Sequence, residues 1–370
     1  MVDYEDSVPA YRTIRVGPPS GRKAALADEQ AWRARDSYPQ LAFANGPAFG
    51  IARELEQGGW QFVSRFQEQF PQQGRDSLGH LFRVMASERL AGSDEYVELM
   101  RAAVRMDWQA IDEAAVLGCR YRVIRIEHFV RTGPLGPEPP RPADSDPGEP
   151  GSSDETPGSI EGFVMDPVTS TTMSGGILTV DLLDAEAQSA AVPEEFRGDL
   201  LRAARTHPGG VLLPPGFTIA RLTRGRWGPV TGRISPNPGD ARLDLVRHLR
   251  RTLPRQLDLS DGERAACAAA ADRVEEDQGD DVSAAGQRLR IVRVEQLVRF
   301  GPDGPEGPRP SDVDPYPPVM LQDDGPEDSG DNDQAEEPDD DAQRWERLFH
   351  EEEAHLAAQR ARSPGHDEKS

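Results

Sequence analysis

The sequence contains few cysteine, lysine and aromatic residues. Among 370 residues there are two cysteines and two lysines, and aromatic residues make up 6%. The two cysteines do not recur at equivalent places of the repeat described below, which argues against a disulfide framework and favours a reducing compartment. No apolar run approaches the ~18 residues that span a bilayer, and the acidic start MVDYEDSVPAYR lacks the apolar core of a signal peptide. We therefore expect a cytoplasmic protein without a membrane segment.

Apolar residues are also scarce, at 36% of the chain. Two segments rich in Pro, Gly and Ser contain acidic residues and no basic one, with eleven acidic residues between Gln322 and Asp341 and six between Ala143 and Glu161. Such segments bury too little apolar surface to offset the entropy of ordering, so we predict disorder in both. They carry most of the net charge of −23. Because a negative field repels phosphate, nucleic acid is not an expected partner.

Catalytic and metal-binding signatures are absent from the sequence. It has neither a Gly-rich phosphate loop nor a GxSxG elbow. His350 and His355 of HEEEAH are five residues apart, whereas two zinc ligands on one helix face are about four apart. Asp144 and Asp146 lack a surrounding EF-hand loop. The sequence therefore predicts no catalytic residue, no metal site and no cofactor.

The chain contains one long internal repeat. Residues 121–147 and 289–315 share sixteen of 27 positions at an offset of 168, and both contain GPxGPExPRPxDxDP. Trp60 matches Trp227 and Ile51 matches Ile219 at nearly the same offset. Self-similarity of this kind indicates repeated structural units. We therefore predict a tandem duplication with five parts: a first domain at 10–147, an acidic linker at 148–175, a second domain at 176–320, a disordered segment at 321–341 and an amphipathic helix at 342–363.

Both units show the same order of elements. A β-branched run comes first, YRTIRV from Tyr11 or GILTVDL from Gly176, followed by a helix, two strands, one or two helices and a final strand. Gly58 and Gly59 indicate a hairpin between the two strands, and SDGE from Ser260 is a capping box. The order βαββα(α)β predicts an α+β fold and fits a ferredoxin-like sheet. Two such units would pack as a pseudo-twofold pair, as homodimers do.

Several runs resemble a known family. AWRARDSYPQL, RDSLGHLFR and RTHPGGVLLP, together with the doubled GPxGPExPRPxDxDP, resemble an uncharacterised actinobacterial family, a domain of unknown function common in streptomycete-type genomes. The resemblance extends to about Asp323. It implies common ancestry, and it brings no known activity, cofactor or catalytic residue.

The final strand of each unit carries an arginine and a glutamate two residues apart. One pair is Arg125 and Glu127, and the other is Arg293 and Glu295. Residues two apart on a strand point to the same face, so each pair can form a structural ion pair at the rim of the sheet. The alternative is a polar pocket in which the arginine holds an anion and the glutamate accepts a donor.

The GPxGPE segment after each final strand combines glycines, which permit positive φ, with prolines, which fix φ at about −65°. We predict a rigid strap leaving the sheet, and the alternative is a loop that presents charged residues to a ligand. A proline-rich ligand for an aromatic groove is disfavoured, because PEPPRP becomes PEGPRP in the second copy. The further candidate binding residues are Arg131, Glu138, Arg141, Arg299, Glu306 and Arg309.

The C-terminal run AQRWERLFHEEEAHLAAQRAR predicts a short amphipathic helix. Its candidate interaction residues are Trp345, Leu348, Phe349 and Leu356, which share one helical stripe. An amphipathic helix on a disordered tether is typical of partner-binding segments, and docking of the helix on its own core is the alternative.

From these patterns we expect a non-catalytic binding or regulatory protein whose tail helix recruits a protein partner. The alternative is a small-molecule-binding protein or enzyme with a site between the two repeats, built from the Arg/Glu pairs and the straps. In that case the arginines would hold a small anionic ligand.

Overall fold

The computed structural model describes residues 8–44, 46–64, 67–146, 158–188, 194–257 and 259–322. The predicted tail helix at 342–363, with Trp345, Leu348, Phe349 and Leu356, lies outside the described residues. The predicted acidic segment at 321–341 also lies outside them, apart from its first two residues. The described residues up to 146 are called the first half below, and those from 158 onward the second half.

The described residues contain eight α-helices. Those of the first half are α1 (Gly21–Ser37), α2 (Pro71–Ser87) and α3 (Asp94–Trp108). Those of the second half are α4 (Met173–Gln188), α5 (Glu194–Thr206), α6 (Pro238–Arg247), α7 (Leu253–Gln256) and α8 (Asp261–Asp277). A π-helical stretch, His248–Thr252, joins α6 to α7. Two 3-10 turns lie at Ala10–Arg12 and Val319–Leu321.

Within the described part of the chain, twelve strands form one sheet. The first half supplies β1 (Gln40–Phe43), β2 (Ala48–Glu54), β3 (Trp60–Phe62), β4 (Glu113–Val116), β5 (Cys119–Gly133) and β6 (Gly136–Pro137). The second half supplies β7 (Val164–Met165), β8 (Gly209–Thr223), β9 (Arg226–Pro229), β10 (Asp281–Ala284), β11 (Gln287–Gly301) and β12 (Gly304–Pro305). The main path of the sheet is β7-β3-β2-β5-β11-β8-β9. The two halves therefore share one hydrogen-bonded sheet.

The long strands β5 and β11 join the halves at the middle of this path. They pair antiparallel through three residue pairs, Glu127–Leu297, His128–Gln296 and Phe129–Glu295. Each residue of β5 in these pairs matches a residue of β11 at the repeat offset of 168. The register is therefore symmetric about the His128–Gln296 pair, which places equivalent positions on opposite sides of it.

The predicted α+β class is confirmed, because helices and an antiparallel sheet are combined. The ferredoxin-like arrangement is wrong. That sheet places the first strand of each unit between the third strand and the last. Here neither predicted first strand is a strand of the sheet, and the last strand of each half pairs directly with the first strand of the hairpin, β5 with β2 and β11 with β8. Each half instead inserts a helical layer between two hairpins: α2 and α3 in the first half, and α6 to α8 in the second. Sequence periodicity identified most of these elements without specifying which strands are neighbours.

Two β-branched runs predicted as strands adopt other structures. The run GILTVDL lies inside α4, where Leu178 and Leu182 are buried four residues apart on one helical face. Periodicity in so short an apolar run does not separate helix from strand. The run YRTIRV contains the end of a 3-10 turn and a single bridge from Val16 to Thr171. Neither run adds a strand to the sheet.

Part of the predicted linker at 148–175 is packed against the sheet. Residues 158–175 are described, and within them Ile160 and Met165 are buried beside Phe62 and Ile124. Strand β7 pairs with β3. Apolar side chains at the end of a polar segment are enough to anchor it, so this stretch contributes to the core.

The helical layers are built as their sequences predict. In the first half, α2 buries Leu78 and Phe82 against α3 and the sheet. The side chain of Ser93 accepts a hydrogen bond from Tyr96 N at the start of α3, at 3.2 Å. The predicted capping box of α8 is confirmed, with Ser260 N donating to Glu263 at 2.9 Å. Local caps and apolar stripes therefore fix these helices without reference to the other half.

Two glycines allow each half to contact a tryptophan of the other. Gly136 and Gly304 have φ values of 104° and 106°. A side chain at Gly136 would overlap the indole nitrogen of Trp227, and one at Gly304 would overlap that of Trp60. Glycine is required at both positions for two independent reasons, the positive φ and the close approach.

We expect Gly304→Ala to destabilise the protein by ~2–4 kcal/mol, because it adds an overlap with Trp60 to the backbone strain. Gly118→Ala is the matched control: its φ is 75° and nothing lies within 4 Å of an added Cβ. The control should cost ~1 kcal/mol from strain alone. The measurement is urea unfolding of both variants, and equal losses would contradict a role for the tryptophan contact.

Candidate functional site

The ten charged candidates from the final strands and straps lie in two clusters, one on each side of the β5–β11 pairing. All except Arg141 and Arg309 are buried, and these two are half-buried. The first strap is residues 133–146 and the second strap is residues 301–314. Both straps carry their charged residues away from the strand that precedes them and onto the opposite half.

The first strap packs on β11. Arg293 N donates to the carbonyl oxygen of Glu138 at 2.9 Å, and Arg293 Nε donates to Asp144 at 3.1 Å. Arg141 lies 3.2 Å from Glu295 and 2.6 Å from Glu138. Arg293 also pairs with Glu295. The strand therefore supplies one arginine and one glutamate to this cluster, and the strap of the other half supplies their partners.

The second strap makes the reciprocal contacts on β5. Arg125 N donates to the carbonyl oxygen of Glu306 at 2.8 Å, and Arg125 Nε donates to Asp312 at 3.0 Å. Arg309 lies 3.3 Å from Glu127 and 2.7 Å from Glu306. Arg125 also pairs with Glu127. The two clusters thus contain the same residue types in equivalent contacts, with each strap serving the opposite half.

These contacts determine what the clusters can do chemically. Buried charges are costly unless each is paired and hydrogen-bonded. Each strap also holds its own turn, since Asp144 accepts from Arg141 N and Asp312 accepts from Arg309 N, both at 2.7 Å. The arginine and glutamate groups of the strands are occupied by strap partners, so the geometry favours a structural role for Arg125, Glu127, Arg293 and Glu295.

The electrostatics of the first cluster follow from this pairing. Burial alone would raise the pKa of Glu295, but Arg293, Arg141 and Arg131 outweigh burial and hold that pKa below its usual range. Burial alone would lower the pKa of Arg293, but Glu295 and Asp144 outweigh it and raise that pKa. Both groups are therefore held in their charged forms.

The ends of the straps reach two arginines that sequence patterns did not indicate. Asp146 lies 2.6 Å from Arg242 on α6, and Asp314 lies 2.5 Å from Arg75 on α2. The recurrence of DxDP in both straps was a signal for the aspartates. Arg75 and Arg242 recur as well, at the offset of 167 that relates Trp60 to Trp227. This recurrence could have identified them, although nothing in a helical sequence indicates which distant loop it meets.

Arg131 and Arg299 occupy equivalent positions, each four residues after the glutamate of the Arg/Glu pair on its strand, but their surroundings differ. Arg299 is 3% exposed and donates to the carbonyl oxygens of His207 and Leu183, both at 3.3 Å. Arg131 is 4% exposed, and within the described residues its guanidinium makes no hydrogen bond, although its carbonyl oxygen accepts one from Glu138 N at 2.9 Å. Its nearest carboxylate, Asp181 on α4, is 3.9 Å away. Burial lowers the pKa of Arg131, and Glu295 and Glu138 offset burial only in part.

Arg131 lines a cavity of about 250 Å³ between the halves. Its walls come from α1 and β5 of the first half, the first strap, and α4, β8 and β11 of the second half. The polar and aromatic lining includes Trp32, Arg35, Arg131, Arg141, Arg293 and Glu295. We call this space the Arg131 cavity.

The structure thus brings four of the ten strand and strap candidates to one cavity, namely Arg131, Arg141, Arg293 and Glu295. The other six, which do not line it, are Arg125, Glu127, Glu138, Arg299, Glu306 and Arg309. Sequence patterns missed Trp32 and Arg35 on α1. When RARDSYP at 33–39 is aligned with RAARTHP at 202–208, their equivalents in the second half are Leu201 and Ala204, so comparison of the repeats gave no signal at these positions.

A second cavity, of about 380 Å³, is lined by His128 and Gln67. Gln296 Nε2 donates to the carbonyl oxygen of Pro214 at 2.6 Å, which fixes the orientation of that amide. Gln296 Oε1 then accepts from Gln67 Nε2 at 2.5 Å, and Gln67 Oε1 accepts from His128 Nε2 at 2.8 Å. A carbonyl oxygen can only accept, so the chain of bonds places a hydrogen on His128 Nε2. Burial lowers the pKa of His128 to about 4, so the imidazole is neutral at pH 7.

We expect Arg125→Met to destabilise the protein by ~3–5 kcal/mol, because it leaves Asp312 and Glu127 buried with one cation fewer. Arg247→Met is the matched control: its side chain is 63% exposed and pairs with Asp244 at 3.0 Å. The control should cost less than ~0.5 kcal/mol. Urea unfolding at pH 7 measures both, and similar losses would contradict the structural role of Arg125.

We expect burial of His128 to make the stability of the folded protein depend on pH. The folded pKa of His128, about 4, lies below the ordinary value of 6.5, so the unfolded chain binds more protons between these values and stability falls as pH falls. From pH 7 to pH 5 this loss is ~2 kcal/mol. His128→Gln should remove that part of the pH dependence and keep the fold, because glutamine is the equivalent residue at 296. Urea unfolding at both pH values measures the change, with exposed His80→Gln as control; an unchanged slope in His128→Gln would refute the assignment.

Two general observations complete the site. Within the described ranges, no three His, Cys, Asp or Glu side chains are grouped so as to hold a metal ion. None of the helices in those ranges combines the length and apolar content that crossing a bilayer requires.

Comparison with known proteins places the chain in a family. No curated protein and no solved structure matches it. The model of a family of unknown function, DUF5954, matches residues 22–315, which contain both straps, both clusters and the Arg131 cavity. The chain therefore belongs to this family of unknown function, DUF5954.

Proposed function

We propose that the protein is a non-catalytic binding protein that holds a small anionic ligand in the Arg131 cavity. One observation carries the proposal: Arg131 is 4% exposed, lines a cavity, and has a guanidinium that makes no hydrogen bond within the described residues. Its equivalent, Arg299, is hydrogen-bonded to two carbonyl oxygens. The two halves therefore differ at this position: the arginine of the first half lines an open cavity, and the arginine of the second half is bonded to carbonyl oxygens.

Burial of the Arg131 guanidinium costs free energy. A buried arginine without hydrogen-bonded partners loses hydration and gains little in exchange. Asp181 is a weak partner at 3.9 Å, and it is shared with Arg35 at 3.5 Å. An anion that reaches Arg131 would form charge-assisted hydrogen bonds, which are roughly twice as strong as neutral ones. Ligand binding is therefore the arrangement that best compensates the buried charge.

The position of the cavity agrees with the predicted site between two repeats. Its walls come from both halves, so a ligand would contact both. The tandem duplication is part of this proposal. It is supported by the reciprocal strap contacts and by the register of β5 and β11, which is symmetric about His128 and Gln296.

Other parts of the proposal rest on the sequence alone. These are the actinobacterial origin of the family, the status of the doubled proline-rich motif as its signature, and the cytoplasmic location. Recruitment of a protein partner by the helix at 342–363 also stays a prediction, because that segment lies outside the described residues.

A small anion should raise the unfolding temperature of the wild-type protein, because a ligand that binds only the folded state stabilises it by mass action. With sodium acetate at ten times its Kd, the gain is ~1.4 kcal/mol. Arg131→Met should abolish the gain. The measurement is thermal unfolding at constant ionic strength with acetate replacing chloride.

Arg299→Met is the matched control, since it removes the equivalent arginine from the half in which carbonyl oxygens occupy it. It lowers the starting stability but should keep the acetate-dependent shift. If neither acetate nor inorganic phosphate stabilises the wild type, or if Arg131→Met retains the full shift, the Arg131 cavity is not an anion site.

A further inference from the structure

The charges around the Arg131 cavity restrict which anion it can take. At one end, Arg131 and Arg35 form ion pairs with a single carboxylate, Asp181, and Glu295 and Glu138 of the adjacent cluster act on Arg131 as well but offset its burial only in part. Next to it, Arg141 and Arg293 face three carboxylates, Glu138, Asp144 and Glu295, so that cluster has one negative charge in excess. A ligand with one negative charge matches the first end. A second negative charge would meet the carboxylates of the cluster.

Asp28 strengthens this restriction. It lines the cavity on α1 and accepts hydrogen bonds from Ser174 N at 3.2 Å and Ser174 Oγ at 2.5 Å. These bonds join α1 to the start of α4 and keep Asp28 ionised. The carboxylate thus repels a dianion more strongly than a monoanion. It also has its own partners, so it is not a free site for an ammonium group.

The remaining walls are mainly apolar. They include Ala27, Ala31, Ile177, Leu178 and Leu212, with Trp32 at 37% exposure. Apolar walls with a few convergent polar groups are typical of small-molecule sites, which usually span ~300–1,000 Å³ for drug-sized ligands. At about 250 Å³ the cavity is below that range. It therefore fits a small ligand with a compact apolar body.

We infer that the ligand is a small monocarboxylate whose carboxylate faces Arg131 and whose apolar body lies between α1 and α4. This inference rests on the proposed function, because it specifies the anion. Carboxylate geometry suits the planar guanidinium, which can donate two parallel hydrogen bonds to it. Trp32 offers a flat surface for the apolar body, and its exposure is reduced when that body is bound.

Calorimetric titration of the full chain with five probes tests the inference. The probes are acetate, benzoate, benzamide, inorganic phosphate and phenyl phosphate, all at the same ionic strength and at pH 7.5. Benzoate should bind at least ~10-fold more tightly than acetate, because its ring removes more apolar surface from water. It should bind at least ~10-fold more tightly than benzamide, which lacks the charge, and more tightly than phenyl phosphate, which carries a second one.

Variants separate the two parts of the ligand. Arg131→Met should abolish binding of both acetate and benzoate. Trp32→Leu, which introduces the residue found at the equivalent position 201, should weaken benzoate about tenfold and leave acetate within about twofold. Circular dichroism and urea unfolding show whether each variant retains the fold. The tryptophan fluorescence of the wild type should change on adding benzoate and not acetate, and Trp32→Leu should lose that change.

The outcomes distinguish this inference from the proposed function. If none of the anions binds, both are overturned. If acetate and benzoate bind equally, or if phosphate or phenyl phosphate binds most tightly, the cavity is an anion site but the monocarboxylate inference is wrong. If benzamide binds as tightly as benzoate, the cavity recognises the apolar body without the charge, and both statements fail.

Discussion

The pairing between strand arginines and strap carboxylates is the constraint on which this architecture depends. Arg125 and Arg293 are buried on the two central strands, and each receives an aspartate at 3.0–3.1 Å from the other half. A strand arginine without its strap would leave a buried, incompletely paired charge, which typically costs several kcal/mol. The halves therefore depend on each other electrostatically as well as through the shared sheet. Neither cluster is complete within one half.

This dependence accounts for the feature that dominates the sequence. Each strap must fit the opposite strand, and the same fit is required twice, so the straps and strands of the two halves constrain one another. Glycine is needed where a strap meets a tryptophan, and Arg, Glu and Asp are needed where it meets the buried pair. Segments that contact only their own half are free of that requirement.

Sequence patterns gave the elements better than their arrangement. The cap at Ser260 and the glycine pair at Gly58 and Gly59 each report local structure, and each was found as predicted. The neighbours of a strand are set by tertiary packing, so periodicity did not exclude a ferredoxin-like sheet. Only part of the candidate site could be predicted from the sequence. Arg131 and Arg141 have equivalent arginines in the second copy, while Trp32 and Arg35 occur in the first copy alone.

The differences between the halves carry the functional argument. Where both halves have the same residues, as in the two ion-pair clusters, the structural role that the halves share explains those residues. Where they differ, at Arg131 against Arg299 and at His128 against Gln296, the fold tolerates either environment. Helix α4 produces the first difference, because its Asp181 approaches Arg131 while its Leu183 carbonyl accepts from Arg299. A single helix thus supplies the carbonyl partner of one arginine and leaves the other beside a cavity, and this difference is what distinguishes the proposed ligand site from the ion-pair clusters that hold the halves together.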